Sequence, residues 1–369
     1  GVGVSSGLDI GADEFVGVPN STTWIGITTD WNTGSNWCGG VVPTIFTNVK
    51  IPTAPSGGNF PIVPAAGSPF SVKNLLLQTG SSLTTAGNAQ LSINGNYSAT
   101  NVTLTNNGKI TIAGTAAQSF PGTTTTVAAM QDLEINNTGG VTIDKSLTIT
   151  GALMPKAGVV GLGNNFITLK STPGATARVD SIGTTGNFTY GTGRFVIERY
   201  YPAKRRWHLR TSPVTVDAAK TVYNSWQVGG TAPAGSGTFV SGPGANPATN
   251  GLDVSPQNNN SLKSFVGQSF VNIGNTKTTL ISGTAGVPTV PDNIGYFLFV
   301  RGDRTTLANF NVGTANTTTL RDTGKIQIKT QIFGCKDSIG GFTLMGNPYA
   351  SPVDFSTLAL NKVANKFWA

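Results

Sequence analysis

The side chains that could support catalysis are few and scattered. His208 is the only histidine of the 369 residues, so neither a multi-histidine metal site nor a Cys/His zinc cluster can be built within this sequence. A Ser-His-Asp triad would have to use it, yet no G-x-S-x-G motif occurs. Glycoside hydrolysis needs paired carboxylates, and Glu14, Glu134, Glu198 and the scattered aspartates form no convincing pair. We therefore predict a non-catalytic protein without a cofactor.

One stretch combines cations with aromatic rings. Residues 194–210, RFVIERYYPAKRRWHLR, interleave basic residues with Tyr and Trp, a composition that can hold anions and stack bases or sugars. A basic strand packed over aromatics is the simpler explanation, and we do not expect nucleic-acid binding. Exposed aromatics in a groove, which could include Tyr349, would favour a carbohydrate ligand. The candidate ligand residues are Arg199, Arg205, Arg206, Trp207, Tyr223 and Trp226.

Two short motifs carry weaker signals. Asp9, Asp13 and Glu14 lie within six residues and could bind Ca²⁺ through oxygen, but a turn that closes a β-helix explains them better than a metal site. The tripeptide at 301–303, Arg-Gly-Asp, could bind an integrin, although a hairpin turn is the simpler explanation. No apolar run has the ~18 residues needed to cross a bilayer, so we expect no membrane insertion.

The composition indicates that strands carry these residues. Only 11% of the residues are charged, against about 25% in an ordinary soluble domain, whereas 48 Gly and 20 Pro supply turns. Thr, Val, Ile and Phe favour pleated surfaces. The net charge of +8 is dilute and only weakly indicates anionic partners. Cys38 and Cys335 exclude a disulfide-dense scaffold, although one long-range bridge is open to them.

An internal repeat predicts the architecture. Strand-turn-strand segments begin at Asn74, Asn101 and Asp132, with a weaker copy at Phe166, at a spacing of about 30 residues. Apolar residues alternate with Thr, Ser or Asn, so one face of each strand is buried. Stacking the units into a right-handed parallel β-helix covers those faces. A β-sandwich of antiparallel hairpins, joined by the same Asn/Gly turns, is the alternative.

The predicted fold class is all-β, with an N-terminal β-solenoid followed by a β-sandwich or jelly-roll domain. Residues 1–66 form an N-terminal strand and a Trp/Pro-rich capping segment that covers unpaired strand edges. Residues 67–185 carry the solenoid repeats. Residues 194–369 read as longer strands, the last of them GFTLMGNPYASP, and form the second domain, which we expect to be truncated at its C-terminus.

Several stretches resemble large secreted proteins of Bacteroidetes bacteria. DWNTGSNWCGGVVPT (30–44) resembles the opening of their modules, and AGTAAQSFPG (113–122) resembles their β-helical stretches. ERYYPAKRRWHLRTSPV, GYFLFVRGDRT and FTLMGNPYASPVDF resemble the β-sandwich domain that follows, and LDIGADEF (8–15) is similar to text that closes β-helices in that group. The resemblance implies type IX secretion to the outer surface of a Gram-negative cell, although the sorting domain of such proteins is missing here. Their O-glycosylation signal resembles Asp-Ser-Ile, which makes Ser181 and Ser338 candidate glycan sites.

Three functions are compatible with these features. The first is a secreted structural or adhesin module of a larger surface protein, whose partners are other domains of the polypeptide, neighbouring copies or surface glycans. The second is a carbohydrate-binding accessory segment of a secreted glycan-degrading enzyme. The third is a subunit of a polymerised filament that donates residues 1–10 to a neighbouring copy as a strand.

Overall fold

A computed structural model of the protein describes residues 20–217, 220–231, 233–282, 295–305, 314–335 and 341–361. Strands account for 39% of the residues and helices for 4%, which confirms an all-β protein, and the chain forms a β-solenoid of about seven turns. The described residues fall into two compact units. The first contains residues up to 145 with 155–161 and 183–186, and the second contains 146–154, 162–182 and the residues from 187 onwards.

Short strands with period-two alternation build the coils, because alternate side chains point to opposite faces of a strand. These strands are β1 (Ser21–Thr23), β2 (Asn48–Ile51), β3 (Ile62–Val63), β4 (Phe70–Val72), β5 (Asn74–Leu77), β6 (Ser82–Thr85), β7 (Gln90–Ile93), β8 (Tyr97–Ala99), β9 (Thr103–Gly114), β10 (Gln118–Phe120), β11 (Thr126–Asn137), β12 (Val141–Ile143), β13 (Leu147–Ile149), β14 (Ala152–Ala157), β15 (Val159–Gly161), β16 (Ile167–Leu169), β17 (Arg178–Val179) and β18 (Asn187–Thr189). A 3₁₀ turn, Gly34–Asn36, lies between β1 and β2.

The strand pairs of the first unit are parallel. Three ladders run β1-β2-β5-β8, β3-β6-β9-β11 and β10-β12-β15, and β4 pairs with β7, which pairs with β9. Parallel pairing confirms the predicted β-helix and excludes the alternative of antiparallel hairpins for these repeats.

The predicted period of about 30 residues is wrong. Leu91 pairs with Ile110, 19 residues later, whereas Thr103 pairs with Thr126, 23 residues later. The segments at Asn74 and Asn101 look alike but lead into different ladders, because β5 pairs with β8 and β9 pairs with β6. Turns of unequal length separate the strands, so similar text recurs at different positions around a coil.

The ladders also extend beyond residues 67–185. Upstream, β1 pairs with β2 within the predicted capping segment. Its tryptophans, Trp24, Trp31 and Trp37, are at most 1% exposed, and Trp37 packs edge-to-face on both others with ring centroids 4.6 and 4.8 Å away. Within the second unit, β16 pairs in parallel with Phe195–Tyr201. The coils therefore include residues on both sides of the predicted range.

Apolar side chains from successive strands form continuous columns inside the first unit. Ile93 pairs with Ile112, which pairs with Ile135, and all three are at most 1% exposed. Leu91, Ile110 and Leu133 form a second column in the same register. Each coil therefore buries its apolar face against its neighbours, as stacked repeats require.

The second unit changes from parallel to antiparallel pairing. Its remaining strands are β19 (Phe195–Tyr201), β20 (Arg206–Arg210), β21 (Val214–Thr215), β22 (Leu262–Val266), β23 (Ser269–Asn272), β24 (Tyr296–Val300) and β25 (Thr318–Ile326), with a helix α1 (Val222–Ser225) and 3₁₀ turns at Val228–Gly230 and Phe355–Thr357. β19 pairs in parallel with β16 and antiparallel with β25, which also pairs with β21. A separate antiparallel sheet has the order β20-β24-β22-β23.

The predicted C-terminal strands are partly present. FVIERYY, RRWHLR, SLKSFVGQSFVN and YFLFV form strands, but GFTLMGNPYASP does not, so that strand prediction is wrong. Its Asn347 amide donates 2.6 Å to the Ser351 carbonyl and accepts from the Tyr349 N–H at 2.9 Å, which holds a loop instead. The β-sandwich stays a prediction.

The core of the second unit contains Tyr201, Val222, Trp226, Val240, Leu252, Leu262, Ile281, Tyr296, Leu298, Val300 and Leu320.

Candidate functional site

Strand β20 divides its side chains between two faces of its sheet. Directly opposed residues of an antiparallel pair point to the same side. Arg210 opposes the buried Tyr296, whereas Trp207 opposes the partly exposed Phe299. Arg206 shares the side of Arg210 but is exposed. The predicted ligand residues of this strand therefore do not form a single site.

Five aromatic side chains lie together on the outer side of the β20-β24-β22-β23 sheet, and we call them the aromatic face. Trp207 stacks on Phe297, with 4.5 Å between ring centroids and 14° between ring planes. Phe270 lies 4.9 Å from Phe297 and 5.3 Å from Phe265, and Phe299 lies 5.4 Å from Trp207. Each such pair adds about 0.5–1.5 kcal/mol beyond burial, so the rings hold one another in position.

Cations border the aromatic face. The Lys263 ammonium lies 5.0 Å from the Trp207 ring centroid, and the Arg301 guanidinium lies 4.9 Å from that of Phe299. Burial lowers the pKa of Arg301 to about 10, with a further contribution from the positive charge of Arg205. Arg205 therefore adds to the positive potential beside the rings.

Trp226 was predicted as a ligand-binding aromatic, and this prediction is wrong. Its side chain is fully buried, and its indole N–H donates 2.9 Å to an Asp322 carboxylate oxygen. The Arg210 guanidinium forms an ion pair with the same carboxylate and lies 5.0 Å from the Trp226 ring. Arg210 also donates 3.2 Å to the Tyr201 hydroxyl. Trp226 is thus part of a buried polar network and presents no surface to a ligand.

Arg199 lines a cavity of about 320 Å³ in the second unit, which we call the arginine cavity. Its walls include Arg210, Thr211, Met345, Asn347 and Tyr349. The loop that carries Met345 approaches Thr211 closely at Gly346, where a Cβ atom would lie 2.3 Å from the Thr211 side chain. Burial lowers the pKa of Arg199, and the charge of Arg210 lowers it further.

The tripeptide at 301–303 serves the packing of the second unit. Arg301 and Asp303 are both 4% exposed. The Asp303 carboxylate accepts from the Gly235 N–H at 2.8 Å and from the Thr305 hydroxyl at 2.8 Å. The next residue, Arg304, donates both terminal nitrogens to the Asp253 carboxylate at 2.6 and 2.7 Å. These contacts leave no free Arg-Gly-Asp loop for a receptor.

Comparison with known proteins does not identify the chain. No family model, curated protein or solved structure matches it. Its function must therefore be inferred from its own residues.

The remaining predicted site residues are dispersed. Tyr223 is partly buried beneath the Lys277 ammonium, 4.8 Å from the ring centroid, and Ser181 is exposed. Cys38 and Cys335 are exposed free thiols. Across the described ranges, three or more His, Cys, Asp or Glu side chains never cluster as a metal site would require, and no helix is long and apolar enough to cross a membrane. The calcium candidates Asp9, Asp13 and Glu14, the donor segment 1–10 and Ser338 lie outside the described residues.

Sequence reasoning missed the four phenylalanines that complete the aromatic face, Phe265, Phe270, Phe297 and Phe299, and Lys263 at its border. The period-two pattern of YFLFV contained the signal, because a strand that buries Tyr296 and Leu298 must place Phe297 and Phe299 on its other side. Two phenylalanines on the side away from the core mark an interaction surface more specifically than the basic run does.

Proposed function

We propose that this chain is a non-catalytic structural and adhesive module of a larger protein exported to the surface of a Gram-negative cell. The observation that carries the adhesive part is the aromatic face, because contiguous rings on the outer side of a sheet mark a contact surface. The solenoid supports the structural part, since its coils are held by continuous ladders and buried apolar columns. The resemblance to secreted Bacteroidetes proteins supports the location.

The partner that we propose for the aromatic face is a surface glycan. Pyranose rings present apolar C–H faces that pack on aromatic carbon atoms while their hydroxyl groups stay hydrated. Phe270 is 44% exposed, and Leu209, which opposes Phe297 on the same side of the sheet, is 47% exposed, so part of the face is open to such contacts. Lys263 adds hydrogen-bond donors at its border, and Lys263 and Arg205 add positive charge there, which favours glycans rich in oxygen and negative charge.

A bead-adhesion assay on polysaccharide-coated wells tests this proposal. Beads coated with the full chain are expected to adhere to wells coated with polygalacturonate or with a neutral glucan. The double variant Trp207→Ser/Phe270→Ser is expected to weaken adhesion about tenfold, the equivalent of about 1.4 kcal/mol. Phe46→Ser is the matched control, because Phe46 is 72% exposed and lies in the other unit. Equal adhesion of the double variant and the unaltered chain would refute the adhesive role of the aromatic face.

A second candidate is an accessory segment of a secreted glycan-degrading enzyme, which the aromatic face also favours. The two functions differ in what flanks the chain rather than in this surface. Native protein released from the cell surface should be measured by intact mass and mapped by peptides beyond Gly1 and Ala369. Flanking β-modules or a sorting domain would support the adhesin, whereas a flanking catalytic domain would support the accessory segment.

A further inference from the structure

The Arg199 side chain faces the arginine cavity with little of its hydrogen-bonding capacity used. To the described residues, its guanidinium donates one hydrogen bond, which goes to the Glu198 backbone carbonyl at 3.0 Å. A guanidinium carries five N–H donors. Most of these donors are therefore available to a group inside the cavity.

Among the described residues, the charges around the arginine cavity do not balance. Arg199 and Arg210 contribute two positive charges, and Asp322, which pairs with Arg210, contributes one negative charge. Among the residues that the structure describes, no carboxylate forms an ion pair with Arg199. Neighbouring Glu198 pairs instead with Lys170 and Arg321. Counted over the described residues alone, the positive charges at the cavity exceed the negative charges by one, which is the excess that a monoanion would neutralise.

We infer that the arginine cavity binds an acidic sugar, with the Arg199 guanidinium pairing with its carboxylate. Arginine matches the two oxygens of a carboxylate through parallel N–H donors, which makes this pairing stronger than a single neutral hydrogen bond. A volume of about 320 Å³ is at the small end of ligand cavities and suits a single sugar unit. Tyr349 and Met345 supply apolar wall for the ring. This site is distinct from the aromatic face and does not depend on the proposed adhesion.

Ligand-detected NMR titration of the full chain tests the inference with three probes. Glucuronate is expected to bind. Its neutral methyl ester and acetate are each expected to bind at least about tenfold more weakly, because the first lacks the charge and the second lacks the ring. Arg199→Gln is expected to weaken glucuronate binding by about tenfold or more. Arg206→Gln is the matched control, since Arg206 is exposed on β20 outside the cavity, and should leave the affinity unchanged.

A second variant keeps the test valid if Arg199→Gln does not fold. Met345 is 39% exposed at the cavity wall, so Met345→Trp should block the cavity without opening the core, and should abolish glucuronate binding. The Trp207→Ser/Phe270→Ser variant should retain full glucuronate binding, which separates this site from the aromatic face. Equal affinity for glucuronate and its ester, undiminished binding by the Arg199→Gln chain, or no binding by the folded chain would overturn the carboxylate site. Acetate binding as tight as that of glucuronate would overturn the assignment to a sugar.

Discussion

The contacts that stabilise the coils of the first unit join residues that are close in the sequence. The contacts that stabilise the antiparallel part of the second unit join residues that are far apart in the sequence. In the coils, the column Ile93, Ile112 and Ile135 joins residues 19 to 23 positions apart. In the second unit, Arg210 and Asp322 are 112 residues apart, and Arg304 and Asp253 are 51 apart. The coils repeat the same kind of near-neighbour contact, so each coil is stabilised in the same way. The second region instead depends on a few long-range ion pairs between particular residues.

The polar contacts of the two regions differ in the same way. Within the coils, Asn106 is 1% exposed and its amide bridges adjacent turns, accepting from the Thr85 hydroxyl and donating 2.8 Å to the Asp132 carbonyl. In the second unit, Asp253 accepts from Arg304, from the Gln227 amide and from the Val240 N–H, and so joins segments with no common period. We expect local damage when a coil contact is removed and wider damage when an ion pair is removed.

Asp322→Asn should produce the largest effect. The side chains of Arg210 and Asp322 are 3% and 0% exposed, so the substitution leaves a buried guanidinium without its counter-charge. We expect a loss of about 3–5 kcal/mol in the free energy of unfolding of the second unit, measured by urea denaturation. Arg178→Gln breaks an ion pair whose side chains are 45% and 38% exposed and should cost at most about 1 kcal/mol. Similar losses for both variants would contradict the importance assigned to the buried pair.

Ile112→Ala should be next in size. Ile112 is fully buried in the middle of an apolar column, so its truncation leaves a cavity and should cost about 2–5 kcal/mol. Hydrogen exchange measured by mass spectrometry should accelerate in β7, β9 and β11, because each coil contacts only its neighbours. Thr103→Ala, at an exposed position of β9, should change little. Uniform acceleration throughout the chain would show that the loss of one coil contact is not confined to the neighbouring coils.

Asn106→Ala should have a smaller effect in the same coils. It removes the acceptor of the buried Thr85 hydroxyl and one donor to the Asp132 carbonyl. Such a loss costs about 1–3 kcal/mol. Asn107→Ala is a matched control, because Asn107 is the exposed neighbour. A thermal or urea unfolding curve for Asn106→Ala that coincides with that of the control would mean that the bridge contributes nothing.

The different contact distances also explain how far the sequence predicts the fold. Alternation in a segment such as QLSI is a local signal, and it correctly predicts which side chains of β7 are buried. Coil length is not local, because it depends on turns whose lengths vary, and the predicted period was too long. Each coil nevertheless pairs in parallel with the next coil along the chain, so the solenoid itself could be predicted.

The candidate sites were less predictable because their residues are brought together by tertiary contacts. From the sequence alone, Trp226 is predicted to be an exposed aromatic residue. Only the structure shows that Asp322, 96 residues later, accepts its N–H. Arg199 is one of several arginines in the basic run, and only the cavity distinguishes it from the exposed Arg206. Trp207 was among the candidate ligand residues and is partly exposed, but Phe297 joins it only through the β20-β24 pairing.

His208 should show the smallest effect and tests the electrostatics of β20. Burial lowers its pKa, and the positive charges of Arg206 and Arg210 lower it further. The folded chain therefore binds the proton less readily than the unfolded chain, so stability should fall as the pH drops below about 6.5 and level off below the pKa of the folded state. Because His208 is the only histidine, one imidazole NMR signal reports its pKa directly. Arg206→Gln should raise that pKa towards 6.5 and Arg178→Gln should not, whereas a pKa of 6.5 or more in the unaltered chain would contradict this account.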